Sequence, residues 1–426
     1  MDDIIKDFGF ATDSPKIIKV IGVGGGGGNA VNHMYREGIH DVAFVVCNTD
    51  RKALEESPVP VKLQLGHEGL GAGNRPNKAK EATEESIEEV KDMLNDGTKM
   101  VFITAGMGGG TGTGAAPTIA RIAKEMDILT IGIVTIPFLF EGRDKILQAI
   151  DGVDAIKENV DALMIINNER LRSIYADLTF VNAFTKADDT LSIAARSIVE
   201  IITIEGTMNL DFADVSTTLR NGGVAIISTG LGEGDARVEN AIKDALHSPL
   251  LNNTDIVNAQ RVLINLSFSE ESNFMMDEVN AIHEFMQNLN SNVKVIWGYA
   301  IDNSLGNSVK ITLLASGFDV KNFTGDEVDA LVDQDRIEKE QTETTRIEDI
   351  YGRGSVTTKG HVKKHHIYLF TPETLDDDNI IFNLEESPTY TRDKAALKRI
   401  AAQQPEKAEQ ATPSAASAQQ GGTISF

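Results

Sequence analysis

Two glycine-rich stretches, KVIGVGGGGGNAVNHM (Lys19 to Met34) and VFITAGMGGGTGTGAAP (Val101 to Pro117), decide how this chain folds. In each, a short apolar run reads as a buried strand, the glycines as a tight loop and the residues after them as a helix. Backbone N–H groups at such a corner converge and can hold an anion, while glycine allows positive φ and close approach. One such corner is a weak signal, because glycines also make ordinary tight turns. Two on one chain point to a single polyphosphate gripped from both sides.

Working outward, apolar runs at Ile17 to Val23, Val42 to Cys47, Met100 to Ala105, Leu129 to Pro137 and Leu163 to Ile166 alternate with helix-like segments. This α/β alternation predicts a doubly wound parallel sheet, whose ligands collect at the carboxyl ends of the strands. Both glycine loops fall there, with Asn48, Thr49 and Asp50, and with Phe140, Glu141 and Gly142. A third loop, Gly71, Ala72 and Gly73 followed by Pro76, is placed to close over a terminal phosphate. From Asp188 to Ile204, Leu191, Ala194, Ala195, Ile198, Ile201 and Ile202 repeat at helical spacing and predict a long helix packed between two units. A second, smaller α/β unit is expected from Gly223, through the strand-like runs VAIIST, RVLINLSFS, VKVIWGYAID and SVKITLLAS. Beyond Phe318 apolar periodicity fades, and the composition predicts a disordered linker and tail. In it, HVKKHHIYLF at 361 to 370 reads as a solvated or partner-binding strip rather than a metal site.

Composition narrows the function. With 426 residues, 41% of them apolar, and a net charge of −24, the chain can bury a large core but offers no basic surface for wrapping nucleic acid. No apolar run reaches the roughly 18 residues of a spanning helix, and the start, MDDIIKDFGF, lacks a basic and apolar leader. A cytoplasmic protein without direct membrane insertion is expected. The single cysteine, Cys47, lies in an apolar run and reads as a buried structural thiol.

No G-x-x-x-x-G-K-[ST] occurs, so phosphate would be held by backbone amides rather than by a P-loop lysine. Thr111 and Thr113 could add hydroxyl donors. Gly22, Gly24 and Gly27 also satisfy G-x-G-x-x-G, and Asp50 lies near the spacing of a ribose-binding carboxylate, so a nicotinamide-dependent oxidoreductase is the rival reading. The second glycine loop argues against it, since a pyrophosphate needs one helix N-terminus. Asp188, in TKAD, can accept two hydrogen bonds from guanine N1–H and the exocyclic amine, which adenine does not offer together; an exposed helix-start aspartate is the alternative. Asp211 and Asp214 sit after the long helix, where acids are usually caps or solvated. That helix, about 25 Å long at 1.5 Å per residue, would keep them from a phosphate bound in the same chain. They could reach one on a neighbour.

Together GVGGGGGNAVNHM, NTD, GAGNRP, GMGGGTGTGAAP, PFLFEG, NNERL, FTKADDTL and NLDFADV make the chain resemble the FtsZ family, the tubulin-like bacterial cell-division GTPases, from about Lys16 to Phe318. The resemblance implies a tubulin-like fold: an N-terminal extension (1–15), a GTP-binding domain (16–185), a central helix (186–205), a C-terminal activation domain with a synergy loop (206–318) and a disordered linker and tail (319–426). It implies GTP or GDP with Mg²⁺ as ligands. Gly25, Gly26, Gly27, Gly28 and Asn29, with Gly108, Gly109, Gly110, Thr111, Gly112, Thr113 and Gly114, look like its phosphate loops. Asn48, Asp50, Gly71, Ala72 and Gly73 would complete the phosphate and metal surroundings. Glu141 looks like the ribose contact, Asn168 and Asp188 like the guanine contacts, and Phe184 like the ring on the base.

Asn209, Asp211 and Asp214 look like the synergy-loop residues that enter the next subunit's site and position the attacking water. The implied protein polymerises head to tail into the cytokinetic ring at mid-cell, and its tail docks membrane-tethering division proteins. A non-hydrolysing tubulin-like scaffold is the remaining alternative, against which the retained acids speak. Three features depart from the family pattern. Lys145 stands where arginine is usual, keeping charge but losing the planar fork. Ile136 replaces a basic residue before ProPhe. The tail's nearest echo of the docking peptide, SPTYTRDKAALKR at 387 to 399, is followed by an Ala/Gln-rich stretch.

Overall fold

A computed structural model describes residues 16–175, 179–204, 208, 210–247, 256 and 259–318. The expected N-terminal extension, Asn209, the histidine-containing strip and the tail lie outside the described residues.

The apolar runs form β1 (Ile18–Val23), β2 (Val42–Asn48), β3 (Val61–Gln64), β4 (Met100–Gly106), β5 (Leu129–Ile136) and β6 (Ala162–Asn167), all parallel, in the order β3-β2-β1-β4-β5-β6. That is the doubly wound order expected when every crossover is a helix. The crossovers are α1 (Gly24–Arg36), α2 (Arg51–Glu55), α3 (Pro76–Glu85), α4 (Ile87–Leu94), α5 (Gly110–Glu125) and α6 (Arg143–Lys157). All eight residues of β5 are buried, as a strand covered on both faces requires.

Side chains alternate across the sheet. Ile21, Val23 and Ile103 pack on one face under Ile119 and Ile122 of α5, while Ile18, Val20 and Phe102 pack on the other under Val31 and Met34 of α1. Cys47 lies at 1% exposure, and burial pushes its thiol up to about 12, so it is an inert part of the core.

After α7 (Asn168–Ile174) comes α8 (Phe180–Thr203), 24 residues and about 36 Å long. It starts eight residues before the expected start at Asp188, and Phe180, Ala183, Phe184 and Ala187 continue its apolar spacing upstream. The Thr179 hydroxyl caps it by accepting the Asn182 N–H, so Phe184 lies within the helix rather than ahead of it, and Asp188 lies two turns in rather than at its start. Leu191, Ala195, Ile198 and Ile201 are buried against the α1 side of the sheet.

The strands beyond α9 (Phe212–Leu219) extend the same sheet. β7 (Gly223–Gly232) joins β6 through only two residue pairs, Ala162 with Gly223 and Leu163 with Val224. α10 (Arg237–Leu246) follows, then β8 (Arg261–Phe268), α11 (Val279–Gln287), β9 (Lys294–Ile301) and β10 (Val309–Phe318). β10 lies antiparallel between β7 and β8, and β9 is the edge strand. The architecture is the tubulin-like α/β fold.

Candidate nucleotide site

The carboxyl ends of β1 and β4 run straight into α1 and α5. Neither helix has a side-chain cap at Val23 or Gly109, and neither has an acidic residue in its first turn. Their first N–H groups therefore lack side-chain partners, and each end carries the positive pole of its helix. The two ends abut: a Cβ on Gly24 would lie 2.8 Å from the Gly112 nitrogen, and one on Gly26 3.2 Å from the Gly106 Cα.

The glycines divide into two kinds. At Gly27, Gly112 and Gly114 a Cβ would fall 2.1, 2.5 and 2.0 Å from the carbonyl oxygens of Thr104, Gly106 and Pro76, so helix-to-sheet packing itself demands glycine. At Gly25, Gly28 and Gly109 a Cβ would meet nothing within 4 Å, while Gly73 has a φ of +58°, a conformation that itself favours glycine. At the first three the open space leaves room for an occupant, and a close-approaching anion is the one the helix ends favour.

The surrounding residues shape that space. The Thr49 and Thr111 hydroxyls are 2.7 Å apart, tying the β2 end to α5. Thr113 is buried and accepts the Gly108 N–H at 2.9 Å, so it holds the loop's shape. Gly110 fits against Ala72 and Asn74, and the Gly71 N–H donates to the Thr49 carbonyl at 3.0 Å, which brings the third loop beside α5. Asn48 is buried and accepts the Asp50 N–H at 3.2 Å, while Asp50 caps α2 through the Lys52 N–H at 2.9 Å. Asn29 is exposed on α1.

One residue here escaped the sequence reading. Gln148 on α6 donates its amide to the Gly108 and Gly109 carbonyls, each at 3.1 Å, and to Asn74 Oδ1 at 3.4 Å, clamping the second loop to the third. Its only signal was a place one turn after Lys145. Lys145 itself pairs with Glu141 at 2.6 Å, and Glu141 also accepts the Phe138 N–H at 2.9 Å, so this carboxylate is held in place.

Farther along the crevice lie Asn168, Phe184 and Asp188. Asn168 is buried, and its Oδ1 has no hydrogen-bond partner among the described residues, which leaves an acceptor waiting for a donor. Phe184 meets Phe138 edge-on at 5.1 Å, and Phe138 stacks on Phe140 at 5.0 Å. The half-buried Asp188 carboxyl is pushed up to about 6, chiefly by burial; nearby His33 opposes the shift and Asp189 adds to it. His33 reaches Asp189 at 2.8 Å, linking α1 to α8 behind Asp188.

Asp211 and Asp214 are placed elsewhere. They form a capping box at the start of α9: Asp211 Oδ1 accepts the Ala213 and Asp214 N–H groups at 2.8 and 3.1 Å, and Asp214 Oδ2 accepts the Asp211 N–H at 3.1 Å. They follow the far end of α8, and their cap hydrogen bonds are exposed. A capping role and an outward-facing chemical role are therefore compatible.

Comparison with known proteins extends this geometry. Residues 17–176 match the family model of the Tubulin/FtsZ family GTPase domain, residues 223–319 that of the FtsZ family C-terminal domain, and residues 362–407 a further FtsZ C-terminal model. The chain is 52% identical over 415 residues to the cell division protein FtsZ of Porphyromonas gingivalis, covering 94% of this chain and 91% of that relative. Against the cell division protein FtsZ of Aquifex aeolicus it is 42% identical over 318 residues, or 73% and 85% of the two chains. Among solved structures, an empty FtsZ dimer from M. jannaschii superposes with a TM-score of 0.65 at 38% identity, covering 72% of this chain and 90% of that one. CetZ2 from Haloferax volcanii, in a GTPγS-bound protofilament, superposes at 0.63 with 20% identity, covering 76% and 99%, and speaks for the fold alone.

Proposed function

This chain belongs to the FtsZ family of tubulin-like GTPases, and from that premise we propose that it holds GTP between α1 and α5 and hydrolyses it with acids from a second copy. Membership makes it a GTP-binding, filament-forming cell-division GTPase, and the oxidoreductase and non-hydrolysing readings fall away. The residue assignments are our inference. The observation that carries them is the meeting of two uncapped helix ends around glycines whose missing Cβ atoms leave open space.

In this reading the triphosphate accepts from the first N–H groups of α1 and α5, while Thr111 and the loop of Gly71 to Gly73 close over its end. Glu141, oriented by Lys145 and the Phe138 N–H, takes the ribose. Asn168 and ionised Asp188 read the guanine edge, and Phe184 covers the base. Adenine would leave the buried acceptors unpaired. Mg²⁺ suits the hard oxygen donors Asn48, Asp50 and Thr111; no cluster of three acidic, cysteine or histidine side chains exists among the described residues, so phosphate oxygens would supply most of its coordination. Bound there, it would neutralise phosphate charge.

Hydrolysis needs water placed in line with the γ-phosphate. In one chain, α8 separates Asp211 and Asp214 from the base-reading residues by most of its length of about 36 Å. A head-to-tail neighbour removes that distance. Its carboxylates polarise the water, the new oxygen–phosphorus bond forms as the bond to the bridging oxygen breaks, and the amides of α1 and α5 stabilise the charge left on GDP. The tail is assigned the docking of membrane-tethering division proteins, which brings filaments to mid-cell; loss of tether co-sedimentation on deleting residues 387–407 tests this.

The decisive experiment is Asp214→Ala in a sedimentation assay with GTP against GDP, while released phosphate is followed. GTP binding and pelleting should persist with hydrolysis lost, and wild-type turnover per molecule should rise with protein concentration. Undiminished turnover in the variant refutes the shared site.

A further inference from the structure

The edge strand β9 holds the loop that carries the acids. The Tyr299 N–H donates to the Met208 carbonyl at 3.1 Å, an isolated antiparallel bridge that fastens Met208 to the sheet edge. Beside it, Gly298 is buried, and a Cβ there would lie 2.5 Å from the Met208 oxygen and 2.7 Å from Leu210 Cγ. Leu210 is 4% exposed and packs with Val215, Leu219 and Leu263. The next residue is Asp211, which caps α9. The other end of α9 is held from the same half of the sheet, where Arg261 of β8 donates to the Thr217 and Arg220 carbonyls at 3.1 and 2.9 Å.

We propose that Gly298 is a positioning residue for GTP hydrolysis: its missing side chain lets Met208 and Leu210 seat directly on β9, and that seat sets how far Asp211 and Asp214 project toward the neighbouring subunit. The proposal rests on the shared-site reading above. Any side chain at 298 must drive Met208 and Leu210 off the strand, since both are closer than real Cβ contacts allow. Three facts make the displacement reach the acids. The contact falls on Leu210, directly before the cap; the cap hydrogen bonds bind Asp211 to Asp214 as one unit; and Arg261 keeps the far end of α9 in place, so the near end swings. The nucleotide cradle lies on β1 and β4, in the parallel half of the sheet, and is untouched.

The test compares full-length Gly298→Ala with wild type for GTP affinity, polymer mass pelleted with GTP, and phosphate released per polymerised subunit. Affinity and pelleted mass should hold while turnover falls roughly 10- to 100-fold, the loss expected from displacing a catalytic group by about 1 Å. Gly230→Ala is the control for mere loosening of the same half-sheet: its Cβ would lie 2.1 Å from the Ala241 carbonyl of α10, away from the loop. It should lower thermal stability yet keep turnover per polymerised subunit. Leu210→Ala, which opens the other side of the contact, should repeat the Gly298→Ala split, and it carries the test alone if the latter does not fold. Wild-type turnover in Gly298→Ala, or in Leu210→Ala where that stands alone, overturns the proposal, as does an equal loss in Gly230→Ala. Asp214→Ala in the same assay separates the premises: if it still hydrolyses GTP, the shared-site reading has failed; if it is inactive while Gly298→Ala is normal, only the positioning role has.

Discussion

Gly25→Ala and Gly27→Ala, two residues apart in the first turns of α1, should have opposite consequences. At Gly27 the new methyl would sit 2.1 Å from the Thr104 carbonyl, where ordinary contact begins near 3.4 Å, so α1 must retreat from β4 by more than 1 Å. Overpacking of that kind costs about 1–3 kcal/mol, against a helix-propensity gain of roughly 0.5–1 kcal/mol from replacing glycine. With a contact this short the cost falls at the upper end, and a net loss of about 2 kcal/mol lowers the melting temperature of a unit this size by several degrees, on the order of 2–4 °C per kcal/mol. At Gly25 nothing lies within 4 Å, so the apoprotein should keep or slightly raise its melting temperature. The methyl instead fills the cradle. Losing one charge-assisted hydrogen bond to phosphate, about 1.5–3 kcal/mol, weakens GTP binding roughly 10- to 100-fold. Thermal melts without nucleotide and titration calorimetry with GTP, both below the polymerisation threshold, measure the two effects. Full GTP affinity in Gly25→Ala, or a larger loss of apoprotein stability there than in Gly27→Ala, would refute the division of the glycines into packing and cradle positions.

The Asp188 carboxyl, which titrates near 6 without nucleotide, must be ionised to accept from guanine. GTP affinity should be flat above that value and decline below it, approaching about tenfold per pH unit, whereas Asp188→Asn should bind weakly with a flat profile; calorimetry across the range checks this. Since burial raises this pKa over its unfolded value, the sign for stability is the reverse. The contribution of Asp188 is fully present below the unfolded value of 3.8 and is lost as pH rises through about 6, so the apoprotein should resist urea better at pH 5 than Asp188→Asn predicts from its own change between pH 7 and pH 5. Gln148→Ala removes donors to Gly108, Gly109 and Asn74 and should weaken GTP binding by about tenfold through loosened loops, with Gln148→Glu failing to restore it because a carboxylate donates nothing. Equal affinity in all three proteins would remove Gln148 from the site.

The sequence by itself determined whatever depends on chain neighbours. Apolar runs bounded by glycine give buried strands ending in helix N-termini, because pleat period, helix period and the freedom of glycine are properties of consecutive residues. The doubly wound sheet, both glycine-lined strand-to-helix corners and the place of Asp211 beyond the far end of the long helix were legible for that reason. The start of α8 is legible too, though eight residues ahead of the expected one: Phe180, Ala183, Phe184 and Ala187 carry the spacing of Leu191 and Ala194 back to the Thr179 cap. Tertiary structure alone decided which glycines answer to packing and which face open space, since the distinction is a distance from Gly27 to Thr104 or from Gly114 to Pro76. It also decided that Gln148 clamps two loops, that the Asn168 acceptor has no partner among the described residues, and that β9 seats Met208 just ahead of the acids. Each is a meeting of residues far apart in the chain, and no local preference encodes a partner that only the folded sheet brings near.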